Sequence, residues 1–467
     1  MNKSQKNVGQ AETRQTPSVH ASHKALANWT FKRLIDCTQD GNLSYGIVQP
    51  GQWDENGIPI IRVNNVNNGQ LRLEDVLRVS PEIEAKYKRT RLEGGEVLLT
   101  LVGSTGQSVV VPKELIGWNI ARAIAVIRPR PEIGADWINI CLQTRVVQQF
   151  LDERANTTVQ KTLNLGDVRE VPIPIPPKEV KHAIESVAMA LANKIELNRR
   201  MNETLEAIAR AMFKSWFVDF DPVRAKMSGE LPESICQRLG LTHDLLALFP
   251  DYLVDSELGE IPKGWEYSSI GEEVSIFGGG TPSTANSEYW NGEFAWVTPK
   301  DLSGALAKVL IASERKITQA GVKKISSGQL PIGTILMSSR APIGYLSLTM
   351  IPVSINQGFI ALVCNKRLPN TYVLQWAIEN LDAIKQRGSG TTFAEISKTS
   401  FRSMTVLVPG EQVLNVFYQQ VMPLYEQITA QVRESETLGN LRDSLLPKLL
   451  SGELRVPNAE TNLEAIA

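Results

Sequence analysis

LNLGDVREVPIPIPP, residues 163–177, and ISKTSFRSMTVLVPG, residues 396–410, have matching apolar positions when the chain is shifted by 233 residues. The apolar pattern agrees better than the identities do. Each stretch is typical of a strand that ends near a proline, and each runs into a segment with helical periodicity. The chain therefore contains an internal repeat whose unit closes with a helix.

The 233-residue offset continues without a gap through both helices. A period of about 3.5 residues defines one seam on each helix. In the first helix the seam is Ile184, Ala188, Leu191, Ile195, Asn198, Asn202, Leu205, Ala209, Met212 and Trp216. In the second it is Phe417, Val421, Leu424, Ile428, Gln431, Ser435, Leu438, Arg442, Leu445 and Leu449. Both seams become polar at the same central places, which a chance resemblance does not explain.

The first helix, about residues 179–218, would be about 60 Å long because an α-helix rises about 1.5 Å per residue. In the second, about residues 411–450, Pro423 and Pro447 predict a kink, or a late start and an early end. A narrow seam favours two helices wound around one another, and the natural partner of each is the other. Antiparallel pairing would then leave the two modules at opposite ends of a rod. A parallel coiled coil between two copies of the chain is the alternative.

Upstream of the helices, each repeat has the pattern of a mixed α/β module. GGEVLLTLVGSTG, from Gly94, resembles IGTILMSSRAPIG, from Ile332, and IIRVNNVNNGQL, from Ile60, resembles AWVTPKDLSGAL, from Ala295. The runs of β-branched residues predict strands at residues 58–63, 96–102, 108–111, 121–128, 294–297, 333–337, 344–348 and 359–363. Helices are predicted at residues 137–153 and 371–385.

The predicted fold class is α+β, with two mixed α/β domains separated by two long antiparallel coiled-coil helices in a pseudo-twofold internal repeat. The predicted boundaries are a flexible tail at 1–27, module 1 at 28–178, helix 1 at 179–220, a linker at 221–261, module 2 at 262–410, helix 2 at 411–456 and a C-terminal tail at 457–467. The linker is expected to be ordered because Leu245, Leu246, Leu248, Phe249, Tyr252 and Leu253 need burial.

Composition narrows the class of protein but names no activity. The 49 basic and 50 acidic residues give a net charge of −1, so a nucleic-acid binder of this composition must gather its cations on one face or share the phosphate contacts with partners. The four cysteines form no CxxC pair and the four histidines complete no metal set. With no signal-peptide pattern and no apolar run of about 20 residues, we expect a cytoplasmic protein that is not in a membrane.

The sequence offers little for catalysis. FGGGT, from Phe277, is interpreted as a turn or a close backbone approach in preference to a cofactor loop, and there is no GxxxxGK[ST] phosphate loop. IPP, residues 175–177, lacks the polar residue and the aromatic of an adenine methyltransferase loop. Asp75, Glu84 and Lys86 fit a dispersed nuclease pattern only weakly. We therefore predict a non-catalytic chain, without a cofactor of its own.

Four segments resemble the specificity subunit of type I restriction-modification enzymes. They are AIARAMFKSWFVDFDPVRAK from Ala207, SELGEIPKGW from Ser256, FGGGTPS from Phe277 and LRDSLLPKLLSGELRV from Leu441. The resemblance extends from about residue 28 to residue 456. It implies two target recognition domains, each reading one half of a bipartite, asymmetric double-stranded DNA sequence, with the long helices as spacer. It further implies modification subunits, two in number, and restriction subunits as partners, which would hold S-adenosylmethionine, ATP and magnesium.

If the modules read DNA, side chains on the loops between strands must bond base edges and phosphates. The candidates in module 1 are Arg62, Asn64, Asn65, Asn67, Asn68, Ser104, Thr105, Arg122 and the stretch Asn156 to Lys161. Those in module 2 are Thr298, Lys300, Ser338, Ser339, Arg340, Asn356, Gln357, Arg387, Thr391 and Thr392, with Arg340 ranked first and Lys300 second. For any single one, a solvated or turn-forming role is the alternative.

Three other functions remain open at the level of sequence. The duplication could serve stability alone, the chain could be a protein-binding scaffold with two β modules on a coiled rod, or it could be a self-sufficient nuclease. Trp216 and Phe217 are expected to close the first helix against its domain or a modification subunit.

Overall fold

The computed structural model describes residues 29–67, 69–73, 75–156, 161–340, 342–390 and 394–455. These form two compact units. The first comprises the chain up to Asn193 together with the residues from Leu438 onward, and the second comprises Lys194–Thr437. Each long helix thus contributes residues to both units.

Module 1 is built on two main sheets. The first has four antiparallel strands, in the order Ser44–Tyr45, Ile124–Ile127, Val97–Thr100 and Ser108–Val110. The second has three strands, Leu77–Val79, Ile58–Ile61 and Asn119–Ile120, of which the last two are parallel. Smaller antiparallel pairs join Thr30–Arg33 to Pro172–Ile175 and Val66–Asn67 to Gln70–Leu71.

Module 2 repeats the strand order of the two main sheets of module 1. Its larger sheet has the order Ser275–Gly278, Phe359–Val363, Ile335–Ser338, Leu346–Thr349 and Val309–Leu310, the last being an addition to the plan of module 1. Its three-stranded sheet has the order Arg315–Ile317, Trp290–Val297 and Ser354–Ile355, and again the last pair is parallel. Glu266–Ser269 pairs with Thr405–Val408, and in the linker Leu253–Val254 pairs with Ile261–Pro262. The shared topology confirms the internal repeat.

Short helices connect these strands. In module 1 the α-helices are Pro81–Glu84, Ala135–Gln143, Arg145–Arg154 and Leu165–Arg169, and the 3₁₀ helices are Leu34–Cys37, Val63–Asn65, Ala85–Thr90 and Lys113–Leu115. In the linker the α-helices are Asp221–Met227, Pro232–Leu239 and His243–Leu248. In module 2 they are Ile270–Glu273, Pro299–Leu302, Gln319–Val322, Asn370–Glu379, Leu381–Gln386 and Lys398–Arg402, with a 3₁₀ helix at Ser287–Tyr289.

Two predicted helices are each divided in two. Thr144, which the sequence places inside a helix, has extended backbone angles, and its hydroxyl accepts a hydrogen bond from the Val147 amide at the start of the next helix. Threonine is a favourable N-cap because its oxygen satisfies an amide that the first helical turn leaves free. In module 2 the corresponding break falls at Asn380.

The two long helices run from Lys178 to Phe217 and from Glu411 to Leu450. The second helix continues through Pro423 and ends beyond Pro447, so the expectation of a late start and an early end is wrong. A proline inside a helix removes one hydrogen bond, and here the packing of an apolar face outweighs that loss. Val421, Tyr425 and Ile428, which flank Pro423, are fully buried.

In the second unit, the C-terminal half of the first long helix packs against the N-terminal half of the second. Phe217 lies 5.0 Å from the ring of Phe417 and 5.0 Å from that of Tyr372. Trp216 lies 5.3 Å from Phe249 of the linker. Trp216 and Phe217 therefore close the first helix into the core of the second unit, beside module 2.

The same two halves also meet at the polar part of their seams. The Asn198 side-chain amide donates to the Glu434 carboxylate at 2.7 Å, to the Ser435 hydroxyl at 3.2 Å and to the Gln431 carbonyl at 3.4 Å. Phe213 lies near Phe417. Residue numbers therefore increase along the first helix while those of the contacted residues decrease along the second. The helices are antiparallel, and Asn198 contacts Gln431, which is its own counterpart at the offset of 233.

The first unit buries the opposite ends of both helices. Ile184 and Ala188 of the first helix and Leu446 and Leu449 of the second share a core with Trp137. All twenty predicted seam positions are buried or half-buried, including Leu191, Ile195, Leu205, Met212, Leu424, Leu438 and Leu445. In the linker, Leu245, Leu246 and Phe249 are buried as expected, whereas Tyr252 is 44 % exposed. The ammonium of Lys263 lies over the Tyr252 ring, which shields one face of it.

Candidate nucleic-acid interface

In module 1 several strand ends meet, and their loops form one edge. The Ala121 amide donates to the Ile61 carbonyl at 2.9 Å, and the Leu101 amide donates to the Ala123 carbonyl at 2.7 Å. The Gly103 amide donates to the Lys161 carbonyl at 3.0 Å. These bonds join the segments that carry Arg62, Ser104, Arg122 and Lys161. We call this set of loops, at residues 46–53, 62–67, 69–73, 75–76, 101–107, 121–123, 156 and 161–162, loop edge 1.

Module 2 builds the same edge with equivalent backbone bonds. The Asn356 amide donates to the Val297 carbonyl at 3.0 Å, and the Ser339 amide donates to the Gly358 carbonyl at 2.8 Å. Arg340 forms a β-bridge with Glu395, as Val102 does with Thr162 in module 1. The loops at residues 279–287, 298–308, 339–340, 342–343, 356–358, 389–390 and 394–395 form loop edge 2.

On each edge, a glycine lies where two backbone segments approach most closely. A Cβ on Gly46 would lie 2.0 Å from the Ile120 carbonyl oxygen, and a Cβ on Gly279 would lie 2.1 Å from the Ile355 carbonyl oxygen. No side chain fits at such distances, so only glycine permits these backbones to approach. The FGGGT segment, to which Gly279 belongs, is thus the close backbone approach that the sequence indicates.

Three of the predicted contacts have a structural role. Asn65 is buried, and its side chain bonds the Arg62 amide and the carbonyls of Arg72 and Asp75. Ser338 is fully buried, donates to the Pro342 carbonyl and accepts from the Tyr345 amide. Ser339 is also buried. In this conformation the three side chains are not accessible to DNA, because each satisfies or lines the loop backbone.

The predicted cations at the edges are mostly held by acidic neighbours. Arg62 bonds the Asp75 carboxylate at 2.9 Å, and Lys161 bonds that of Asp152 at 2.6 Å. Lys300 bonds Glu314 at 2.8 Å, and this hydrogen bond raises the pKa of the lysine. Arg340 lies 3.8 Å from Glu395. Such exposed ion pairs contribute little to stability because water screens them, so a DNA phosphate can replace the carboxylate at small cost.

Other predicted side chains are exposed or half-buried on the two edges. Asn64, Ser104, Arg122 and Asn156 are exposed on loop edge 1, where Thr105 is half-buried. On loop edge 2, Gln357 is exposed and Asn356 is half-buried. Thr298 and Asp301 form a capping box for the helix that begins at Pro299. Arg387 donates to the Ser400 carbonyl at 3.3 Å and to the Ser403 hydroxyl at 3.2 Å.

Some predicted positions have no described side chain. Asn67 ends a short strand, and its side chain is not described. Asn68, Thr391, Thr392 and residues 157–160 lie outside the described residues.

Further side chains belong to loop edge 2 although the sequence did not single them out. The Thr281 hydroxyl donates to the side-chain carbonyl of Gln357 at 2.5 Å. Trp296 and Trp290 donate from their indole nitrogens to the carbonyls of Gly280 at 3.1 Å and Ser283 at 3.0 Å, and so fix the loop that carries Thr281. The sequence singled out the FGGGT segment that contains Thr281 only as a turn or a close backbone approach. Extending the 233-residue offset back from Leu163 to Gly46 would have shown that this segment has a counterpart in module 1, because Gly46 and Gly279 are separated by that number.

The dispersed acidic pattern does not form a nuclease-like group. Asp75 bonds Arg62, whereas Glu84 is buried and bonds Arg91 and Asn119. The hydrogen bond from Arg91 lowers the pKa of Glu84. In the described ranges, no group of three or more His, Cys, Asp or Glu side chains is arranged to hold a metal ion. None of the helices in the described part of the chain has the length and apolar composition needed to cross a membrane.

Comparison with known proteins gives one consistent family. The model of the type I restriction modification DNA specificity domain matches twice, at residues 47–207 and 262–429. The HindI specificity subunit of Haemophilus influenzae is 24% identical over 458 residues, which cover 89% of this chain and 98% of that protein. The EcoBI specificity subunit of Escherichia coli is 34% identical over 168 residues, 36% of this chain and 35% of that protein.

Among solved structures, the S subunit of a type I restriction-modification system from M. genitalium matches with a TM-score of 0.47 and 16% identity, over 90% of this chain and 96% of that one. The two matches to the family model cover both modules and extend into both long helices, which is well over half of the chain. The chain therefore belongs to the type I restriction-modification DNA specificity family.

Proposed function

We propose that this chain is the DNA sequence-recognition subunit of a type I restriction-modification complex, with one half of a bipartite, asymmetric target read at each loop edge. The observation that carries the proposal is that one backbone framework is built twice and bears different side chains each time. The bonds from Ala121 to Ile61 and from Asn356 to Val297 are equivalent, whereas Arg122 and Gln357 differ in chemistry. Two similar backbone frameworks with different side chains are what a DNA target requires when its two halves differ in sequence.

The antiparallel helices act in this proposal as the spacer between the two readers. Asn198, Asn202 and Gln431 form a buried polar layer in a largely apolar seam, and Asn198 also bonds the exposed carboxylate of Glu434. A polar layer of this kind fixes the register of paired helices at some cost in stability. A fixed register keeps the separation of the two half-sites constant.

The catalytic steps belong to partners in this proposal. The chain acts in the cytoplasm as a non-catalytic subunit, together with two modification subunits and with restriction subunits. S-adenosylmethionine, ATP and magnesium are bound by those subunits. The chain alone carries a net charge of −1, so the partners also supply much of the contact with DNA phosphates.

The test is a domain exchange read by sequencing methylated DNA. Residues 1–178 are replaced by the corresponding residues of a relative with a known target, and the variant is expressed with the modification subunits. We expect one half of the methylated motif to change, while the other half and the gap between the halves stay the same. A change in both halves would contradict independent readers. An unaltered methylome with and without the chain would instead favour a protein-binding scaffold, and metal-dependent cutting by the chain alone would favour a nuclease.

A further inference from the structure

One turn on each loop edge occupies the same place in the framework. Turn 1 is Ala121–Ala123 and turn 2 is Asn356–Gly358. Each follows a short strand that runs parallel to its neighbour, Asn119–Ile120 beside Ile58–Ile61 and Ser354–Ile355 beside Trp290–Val297. The carbonyl just before each turn accepts a backbone amide, from Ile47 at 2.7 Å and from Gly280 at 2.9 Å. The middle residues of the two turns, Arg122 and Gln357, are therefore structurally equivalent.

Both side chains are exposed on their edges and have donor groups that can contact a base. Arg122 is exposed, and its guanidinium has no partner among the residues that the structure describes, unlike Arg62 and Lys161 on the same edge. Gln357 is exposed, and its side-chain carbonyl accepts a hydrogen bond from Thr281. The amide nitrogen of Gln357 has no partner in the described part of the chain.

We propose that Arg122 and Gln357 are the paired specificity-determining residues of the two modules, Arg122 selecting a guanine in one half-site and Gln357 an adenine at the equivalent place in the other. Arginine donates two hydrogen bonds to O6 and N7 of guanine, and glutamine donates to N7 and accepts from N6 of adenine. Each turn presents its middle side chain from a rigid backbone, because two strands and a glycine contact hold it from both sides. The inference rests on the proposed function, because Arg122 and Gln357 can select bases only if the two loop edges recognise DNA.

Thr281 acts as a positioning residue for Gln357. Its hydroxyl fixes the side-chain carbonyl of Gln357, which still has a second lone pair for the adenine amino group. Trp296 and Trp290 hold the backbone on either side of Thr281. In module 1 the counterpart of Thr281 at the offset of 233 is Val48. An arginine at the equivalent place needs no hydroxyl to orient it, because its planar guanidinium has only donors, in a fixed geometry.

The experiment selects bound DNA from a pool with randomised half-sites, using the full chain assembled with its modification subunits. Gln357→Arg is expected to change one position in one half-site from adenine to guanine, with a preference of roughly tenfold or more. Arg122→Gln is expected to make the reciprocal change in the other half-site. Arg89→Gln and Gln319→Arg, which alter exposed residues outside the turns, are the matched controls and should leave the selected motif unchanged.

Milder variants keep the proposal testable if a swap disturbs folding. Arg122→Lys retains the charge but not the fork, and it should weaken the guanine preference at a single position. Thr281→Val should weaken the adenine preference at the Gln357 position alone, and Thr281→Ser should restore it. A purely structural role for Thr281 would lower affinity for all sequences equally.

The outcomes separate this inference from the function on which it rests. If the wild-type complex selects a bipartite motif and all the turn variants select the same motif, Arg122 and Gln357 do not read bases and the inference is overturned. If the wild-type complex selects no motif, the proposed function itself fails.

Discussion

Gly46 and Gly279 allow the loops of each edge to approach one another closely, because a glycine has no side chain. Each lies against the carbonyl that precedes a turn, at a distance that excludes a Cβ. The flanking residues bond the same carbonyl, so the glycine and the turn behave as one rigid corner. A single substitution at either position is therefore expected to act on one module only.

Gly279→Ala tests this corner. The new Cβ would lie 2.1 Å from the Ile355 oxygen, so the backbone on which Gln357 depends must shift, and we expect a loss of about 1–3 kcal/mol in the free energy of unfolding. Thermal unfolding measures this loss, and the selected DNA motif should become less strict in one half-site. Gly166→Ala is the control, since a Cβ there meets nothing within 4 Å. Equal effects of the two substitutions would contradict the role of Gly279.

The side chains predicted to contact DNA differ in their surroundings in ways that the sequence does not show. Asn65 and Ser338 have the right chemistry for bases, but the same hydrogen-bonding groups are needed to satisfy buried loop backbone, and both are buried for that purpose. Sequence composition does not separate these two uses of an amide or a hydroxyl. Arg340 and Lys300, ranked highest from the sequence, each face a glutamate that lies far away in the sequence. Only the fold shows that Arg122 lacks such a neighbour within the described ranges.

Arg367→Met should make the stability of module 2 depend differently on pH. Glu273 is almost fully buried and accepts from Arg367 at 2.9 Å, and that hydrogen bond lowers the pKa of Glu273. The ion pair therefore stabilises the fold above the unfolded pKa of about 4.3, and this contribution is lost as the pH falls through the folded pKa. We expect the variant to be less stable than wild type by about 1–3 kcal/mol at pH 7, and the difference to shrink below about pH 4.

Denaturant unfolding at several pH values measures this difference. The control is Arg238→Met, whose partner Glu230 lies on the surface of the linker, and a smaller effect is expected there because water screens exposed pairs. A loss of stability that is the same at about pH 3.5 and pH 7 would show that Arg367 contributes through packing instead of charge.

At the scale of elements, periodicity predicted both long helices, and the limits of about 179–218 and 411–450 agree closely with Lys178–Phe217 and Glu411–Leu450 in the structure. The apolar pattern of a seam extends over about 40 residues, so one residue that disfavours a helix changes the prediction little. Pro423 does not end the second helix, because the buried neighbours Val421 and Tyr425 stabilise the helix around it. The shorter helices were joined where Thr144 and Asn380 divide them. At Thr144 a capping side chain makes that decision, and a periodicity argument does not detect it.

Two glycines, one inside the second long helix and one just after it, should respond to alanine with opposite signs. Gly439 lies inside the helix, and a Cβ added there would meet nothing within 4 Å, so Gly439→Ala should stabilise the chain by about 0.5–1 kcal/mol. Gly452 follows the helix with a φ of 69°, and Gly452→Ala should destabilise it by about 1 kcal/mol because alanine is strained in that region.

The two variants serve as controls for one another, since the chemical change is the same. Hydrogen exchange of the amides near the end of the helix measures the effect of Gly452→Ala, and thermal unfolding measures that of Gly439→Ala. Effects of the same sign would contradict the assignment of Gly452 as a helix C-cap.

At the scale of the whole molecule, the internal repeat separates two requirements that a single domain would have to combine. The strand order is the same in both modules, and the helices keep one offset through their whole length, whereas the side chains on the two loop edges differ. Duplication followed by change in the loops alone yields two readers without altering the framework that positions them. The sequence predicted this division because apolar cores keep their pattern while loops do not.

The charge of the chain makes a final prediction about how it binds DNA. Each phosphate that a protein neutralises releases counterions, so the logarithm of the binding constant falls with the logarithm of salt concentration, with a slope of about −0.9 per phosphate. The chain has 49 basic and 50 acidic residues, and edge cations such as Lys300 and Lys161 are already paired with carboxylates. Each of these cations must exchange its carboxylate for a phosphate, and the near-zero net charge adds little long-range attraction for DNA. We expect the chain alone to bind its target weakly and with a shallow slope, and the complex with modification subunits to bind with a clearly steeper one. Titrations by fluorescence anisotropy between about 50 and 200 mM salt measure both slopes. Equal slopes would mean that this chain makes all the phosphate contacts and that the partners add none.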